Sequence, residues 1–300
     1  MAAAPYMIGI DVGGTHCRMG AVDASGTILR HQILSSRQYL TLADPMGAMV
    51  ESIARFRAET PGEARGVCIG IPGVIGGDRG TVLSVPNLPV FDGVDMRGAL
   101  GAGLGIKALV THEVLLLLTS DLRANDLLGL DIVMAVYLGT GIGNAMYIHG
   151  RLLEGKNGVS GELGHLPVPG DTTPCPCGNA GCIEMRASGK RLEAIKAQHY
   201  PDAQSFEEMF AAPVRHTAID DYLDAAACAI AAEINILDPD CVLLGGGVLS
   251  IANYPYDALL ARVYAHTRKP YPAETLRCIR LPADALRGVR GGGLYAWEHL

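Results

Sequence analysis

Hydrophobic and polar positions along this chain sort into short apolar runs that stop at glycine, followed by longer stretches at helical spacing. Tyr6 to Val12 is almost unbroken in its apolar character, the pattern of a strand covered on both faces, and it runs into Asp11-Val12-Gly13-Gly14-Thr15. Cys17 to Val22 and Thr27 to Leu34 read as two more strands, with Asp23-Ala24-Ser25-Gly26 as the hairpin turn. Met46, Met49, Val50, Ile53 and Phe56 recur at helical spacing within Pro45 to Glu59. Further strands are predicted at 67–71, 107–110, 134–138, 144–148, 241–244 and 276–281. Helices are predicted at 94–104, 115–128, 190–198, 206–211, 219–237, 256–266 and 289–299, and the proline-punctuated stretch 83–92 reads as loop.

Three strands in series, then strands alternating with helices, indicate a mixed α/β fold. One pattern occurs twice: a strand, a glycine turn and a second strand, first at Asp11–Thr15 and again at Leu138-Gly139-Thr140-Gly141-Ile142-Gly143. We therefore expect two lobes with one glycine loop each and a cleft between them. The expected division is a small lobe over 1–111, with the closing helix 289–300 packed on it, and a large lobe over 112–288.

Composition narrows the possible functions. Hydrophobic residues make up 49% of the 300 and charged residues 18%, which describes a globular chain with a generous core. The longest uncharged run, Ile132 to Gly150, is long enough to raise the question of a membrane span. Its glycines, Asn144 and His149 read better as strand, turn and strand, so no membrane partner is expected. A net charge of −7 without a Lys/Arg cluster argues against a nucleic-acid surface. Met1-Ala2-Ala3-Ala4-Pro5 lacks the basic start of a signal peptide, so a cytoplasmic location is expected.

The richest chemistry lies between positions 161 and 184. Gly161-Glu162-Leu163-Gly164-His165 is followed by Cys175, Cys177, Cys182 and Glu184. Three cysteines and a histidine form the Cys₃His set that zinc prefers, and Pro176, Gly178 and Gly181 permit the tight backbone it needs. Disulfides are the competing explanation for 8 cysteines, but the other five are scattered singly, mostly in apolar runs, where free buried thiols are common. Four protein donors would close the coordination sphere, so the expected zinc is structural. Glu162 and Glu184 flank the set and would present carboxylates to a polar ligand.

The glycine loops suggest phosphate binding. Gly13 and Gly14 let backbone N–H groups approach an anion, Thr15 adds a hydroxyl, and Asp11 is placed to hold Mg²⁺ directly or through water. Gly139, Thr140 and Gly141 form a second such loop, and Gly245, Gly246 and Gly247 a third glycine patch after a strand. Neither a Walker A sequence nor a protein-kinase signature is present, so another route to nucleotide binding is implied.

Together these motifs resemble the ROK family (repressors, open reading frames and kinases), sugar kinases of the actin-like ATPase fold. The likeness runs essentially end to end, through Asp11-x-Gly-Gly-Thr15, Leu138-Gly-Thr-Gly-x-Gly143, Gly161-Glu-x-Gly-His165, Cys175-x-Cys-Gly-x-x-Gly-Cys182-x-Glu184 and Leu244-Gly-Gly-Gly-Val248. Within the family, Ser84 to Pro89 and Asn235 to Gly247 look most like D-allose kinases. The resemblance implies that Asp11, Gly13, Gly14 and Thr15 face ATP phosphates and Mg²⁺, with Gly139 to Gly141 opposite and Gly245 to Gly247 beside the adenosine. It further implies that Asn87, Asp92, Glu162, His165 and Glu184 touch the sugar, that His165 also ligates zinc, and that the protein is a homodimer.

One stretch departs from the family pattern. Family kinases carry Glu-Asn-Asp-x-Asn, whose Asp takes the proton from the attacking hydroxyl; here the aligned residues are Thr111-His112-Glu113-Val114-Leu115. Glu113 keeps a carboxylate on a chain one methylene longer, and Asp121 is more than two helical turns further on. The expectation is an ATP-dependent hexose kinase acting at O6 with Glu113 as base. The alternatives are a weakened or silent sugar-binding protein and a kinase for glucose or N-acetylmannosamine. A repressor of this family would need a DNA-binding segment before Asp11, and none is expected.

Overall fold

The computed structural model describes residues 4–300; Met1–Ala3, the first part of the Met1–Pro5 stretch compared with a signal peptide, lie outside the described residues. The chain divides into two units. The first runs through Leu128 and includes Leu153–Ser160 and Asp284–Leu300; the second comprises Gly129–Leu152 and Gly161–Ala283.

The first unit opens with β1 (Tyr6–Val12), β2 (His16–Val22) and β3 (Ile28–Ser35), three antiparallel strands in series. Helix α1 (Pro45–Ala58) starts at Asp44, whose carboxylate accepts from the Gly47 N–H, with Pro45 in the first turn, where its missing N–H costs nothing. Then follow β4 (Ala64–Ile71), the short hairpin β5 (Val74–Ile75) and β6 (Val82–Ser84), and α2 (Met96–Leu104), again capped by an aspartate, Asp95. β7 (Lys107–His112) leads directly into α3 (Glu113–Ala124). The sheet order is β3-β2-β1-β4-β7, and the β1/β4 and β4/β7 pairs are parallel.

The second unit repeats this plan. β8 (Ile132–Leu138), β9 (Ile142–Ile148) and β10 (Arg151–Leu152) are antiparallel, and a run of helices follows: α4 (Glu184–Ala187), α5 (Gly189–His199), α6 (Phe206–Ala211) and α7 (Thr217–Leu237). β11 (Cys241–Gly245), α8 (Tyr256–His266) and β12 (Cys278–Arg280) complete it, giving the order β10-β9-β8-β11-β12 with β8/β11 and β11/β12 parallel. The repeat read from two glycine turns is thus a repeat of whole sheets.

The last helix, α9 (Arg287–His299), returns to the first unit and packs on β1 and α3. Glycines permit the fit: a Cβ on Gly291 would lie 1.7 Å from the Leu116 carbonyl oxygen. The ion pair Arg287–Asp121, at 2.8 Å and almost wholly buried, ties α9 to α3. Each unit has its own apolar core, one around Ile8, Ile10, Phe56 and Ile69, the other around Val136, Tyr222, Ile230 and Leu244.

Two expectations differ from this arrangement. The division expected at 111/112 falls instead after Leu128, because α3 packs against α9 and β4 rather than with the residues that follow it. The helix expected from Leu115 begins at Glu113, as soon as His112 leaves the β7 ladder in extended conformation. No helix among the described residues is long and apolar enough to cross a membrane.

Candidate active site

In the first unit, the chemistry gathers at the carboxyl ends of the parallel strands, where ligands bind in open α/β sheets. The register sets Asp11 beside Gly70 and Gly70 beside Thr111, so Asp11 and the β7–α3 junction share one edge of the sheet. Glu113 is the first residue of α3, and a Cβ on Gly70 would lie 3.0 Å from its Cα. His112 Nδ1 stands 3.2 Å from Glu113 Oε2.

Asp11 is largely enclosed. Arg18, its cross-strand partner on β2, places a guanidinium nitrogen 3.8 Å from the carboxylate, and the first turn of α9 presses on it at Gly288. Burial pushes the Asp11 carboxyl up to about 6, the charge of Glu113 adds to the effect, and Arg18 opposes it. A carboxylate so crowded by another favours a cation between or beside them, which fits Mg²⁺.

The loop after β1 closes through Gly13, whose N–H donates to the His16 carbonyl. Asn87 packs against Gly14, so the sugar-loop candidate and the first glycine loop are neighbours. Asp92 is exposed, but its Oδ1 accepts from the Val85 N–H at 2.7 Å, which makes it a brace for the loop that carries Asn87.

In the second unit, the loop Gly139–Gly141 is fastened through its carbonyls. The Gly189 N–H donates to Gly139 O at 2.8 Å and Lys190 N–H to Thr140 O at 3.3 Å, so the loop caps the N-terminus of α5. Glu184 Oε2 accepts from the Ile142 N–H at 2.8 Å, and a Cβ on Gly141 would fall 2.4 Å from the same oxygen. Sequence reasoning missed this contact: Glu184 holds the second glycine loop as well as standing at the end of the cysteine loop. Gly246, at φ +97, lies against the Leu138 backbone and brings the third glycine patch beside the second.

The cysteine loop brings its four donors together. The ligand atoms of His165, Cys175, Cys177 and Cys182 all lie within 4.8 Å of one another. Cys177 and Cys182 sulfurs are 3.6 Å apart, and His165 Nδ1 is 3.7 Å from Cys175 Sγ. Donors about 2.3 Å from a tetrahedral zinc would stand roughly 3.8 Å apart, so the set fits the ion. The other ring nitrogen, Nε2, is 3.5 Å from Glu162, a carboxylate–histidine pairing of the kind that fixes a zinc-bound imidazole. Gly178 and Gly181 both have positive φ, and Asp171, a covered carboxylate within the loop, accepts from the Thr173 N–H and from Arg186 just past the loop's end.

A buried polar pair that the sequence did not suggest joins β9 to α7. Asn144 on β9 donates to Glu233 on α7 at 2.8 Å and to the Ala135 carbonyl at 3.1 Å. Burial pushes the Glu233 carboxyl from 4.5 up to about 7, against the lowering effect of the Asn144 bond. Because the folded value is the higher one, this site's contribution is greatest in acid and is lost as pH rises from about 4.5 through 7. Glu233→Gln keeps an acceptor for Asn144 without the charge. We expect it to match the parent near pH 4 and to be more stable at pH 8, by up to about 3 kcal/mol, in thermal melts across that range. A variant less stable at every pH would contradict this.

Comparison with known proteins fits the geometry. Residues 7–296 match the sequence model of the ROK family. The chain belongs to the ROK family. A glucokinase of Thermotoga maritima is 30% identical over 265 residues, covering 81% of this chain and 82% of that protein. An N-acetyl-D-glucosamine kinase of Erwinia tasmaniensis is 30% identical over 278 residues, covering 86% and 89%. The crystal structure of a ROK family glucokinase from Streptomyces griseus, in complex with glucose and AMPPNP, superposes with a TM-score of 0.82 at 23% identity, covering 98% of this chain and 99% of that one. The mixed α/β fold of actin-like ATPase sugar kinases is shared.

Proposed function

We propose that this ROK protein transfers the γ-phosphoryl group of ATP to a hexose hydroxyl, at O6, with Glu113 as the base. The observation that carries the proposal is the placement of two carboxylates, Asp11 and Glu113, on one sheet edge next to a glycine loop. Asp11 is crowded by Arg18 and by α9 and suited to a metal; Glu113 begins a helix, with Oε2 buried beside His112 and the side chain still partly exposed toward the sheet edge.

Asp11 would hold Mg²⁺, which offsets charge on the phosphate oxygens. Gly13, Gly14 and Thr15 would donate to phosphates from the first unit, and Thr140 with the N–H groups of Gly139–Gly141 from the second. Gly245–Gly247 would lie along the nucleotide. Glu162 would hydrogen-bond sugar hydroxyls, His165 would offer them the Nε2–H that faces Glu162 at 3.5 Å without sugar, and Asn87 would complete the set. Glu184 contributes mainly by holding Gly141 and Ile142 in place. Phosphoryl transfer is largely a matter of positioning and charge stabilisation, so the base need only receive the hydroxyl proton as the bond to phosphorus forms.

D-allose is the favoured sugar on the strength of Ser84–Pro89 and Asn235–Gly247; relatives named for glucose and N-acetyl-D-glucosamine supply the competitors. The zinc is structural, and a cytoplasmic homodimer is the expected form. The deciding experiment is ATP turnover with Mg²⁺ against aldohexoses and N-acetylhexosamines, D-allose included, with NMR of the product. Phosphorylation of one sugar at O6 is the expected result. Sugar binding without turnover across the panel would favour the silent-binder reading and trace the loss to Thr111–Leu115.

A further inference from the structure

A second cluster of metal-binding side chains lies on the packed pair α7 and α8, apart from the cysteine loop. Asp224 and Cys228 are four residues apart on α7 and so share one helix face. His266 ends α8. The carboxylate, thiol and imidazole donors lie within 4.8 Å of one another, and His266 Nε2 is 2.8 Å from Asp224 Oδ1. The cluster is solvent-accessible on one side, with Cys228 half-buried.

The scaffold beneath it is fixed. Asn235 of α7 clasps the backbone around His266, donating to the His266 carbonyl at 3.2 Å and accepting from the Arg268 N–H at 2.8 Å. One turn earlier, Arg262 of α8 pairs with Asp220 of α7 at 2.7 Å. The two helices are therefore locked in register, and the three donors project from rigid elements, as a metal site requires. An ordinary inter-helix ion pair, such as Asp220–Arg262, has no need of a thiol at the next position of the stripe.

We propose that Asp224, Cys228 and His266 form a second, exchangeable site for a borderline divalent cation of the zinc type. Imidazole and thiolate select such an ion over Mg²⁺ and Ca²⁺, which demand oxygen donors. Binding displaces the Cys228 thiol proton to solvent, so thiolate and carboxylate together balance the two positive charges. Three protein donors leave a fourth position for water, unlike the closed set in the cysteine loop. This inference does not rest on the kinase reading.

The test is titration of Co²⁺ into the full-length, zinc-loaded protein, read by near-ultraviolet thiolate-to-metal absorption and by metal analysis after gel filtration. The expected result is one further equivalent bound with thiolate absorption, undisturbed by excess Mg²⁺, abolished in Cys228→Ser and at least tenfold weaker in His266→Gln. His266 lies at a helix end, so its variant guards against a folding defect in the other. No thiolate absorption in the parent protein, or absorption that persists in Cys228→Ser, would overturn the proposal.

Discussion

Glu113→Gln is expected to lower kcat by about 10²–10⁴-fold, the usual range for removal of a general base, while changing the KM for ATP and sugar little. The amide keeps the size and the hydrogen-bonding reach of the carboxylate but cannot take a proton. The position is constrained: Glu113 is the first residue of α3, its backbone is pressed against Gly70, and His112 Nδ1 stands 3.2 Å from its carboxylate. A longer side chain at a fixed helix start reaches further, so Glu113→Asp separates reach from charge. If Glu113 is the base in its present geometry, the shorter acid also loses rate. Steady-state kinetics on the preferred sugar checks both variants, and an unchanged kcat in Glu113→Gln would remove Glu113 from the chemistry. Asp121 cannot take over, because its carboxylate is buried in the ion pair with Arg287.

What could be read from the sequence was what is encoded locally. Apolar runs ending at Gly13-Gly14 and Gly139-Thr140-Gly141 located β1, β2, β8 and β9, because a buried strand and a glycine turn each leave a mark in adjacent residues. The four donors of the cysteine loop were legible for the same reason, all falling between positions 165 and 182. The contacts that were missed join residues far apart in the chain. Asn144 and Glu233 are 89 positions apart, Glu184 and Ile142 are 42 apart, and neither pair has a spacing signal. α4 is only four residues long and follows the cysteine loop with no helical period to reveal it. The placement of α3 depended on α9, whose glycines reveal their purpose only when Leu116 is seen against Gly291.

Removing the zinc proposed for the cysteine loop, by chelation or by Cys177→Ser, is expected to weaken sugar binding by about 10–100-fold while leaving most of the thermal stability of the second unit in place. The loop between His165 and Ile183 has little apolar support of its own: Cys175 and Cys182 are buried, and most of the residues between them are exposed. Its backbone makes the isolated bridges Pro167–Cys182 and Pro174–Ala180 and turn hydrogen bonds such as Val168 N–H to Gly181 O and Gly181 N–H to Thr173 O, but it contributes no regular strand or helix. The core of the unit, around Val136, Tyr222, Ile230 and Leu244, lies elsewhere and does not depend on it. Two routes carry the loss to the ligand. His165 would no longer be fixed through Nδ1, so the Glu162 contact at Nε2 loosens; and Cys182 is two residues before Glu184, whose carboxylate holds the Ile142 N–H. The second route reaches the phosphate loop, so ATP affinity should fall as well, by less than that for sugar. Calorimetric titration of sugar and of a non-hydrolysable ATP analogue into zinc-loaded and zinc-free protein measures both. Unchanged sugar affinity without zinc would show that the loop holds its shape by its hydrogen bonds alone.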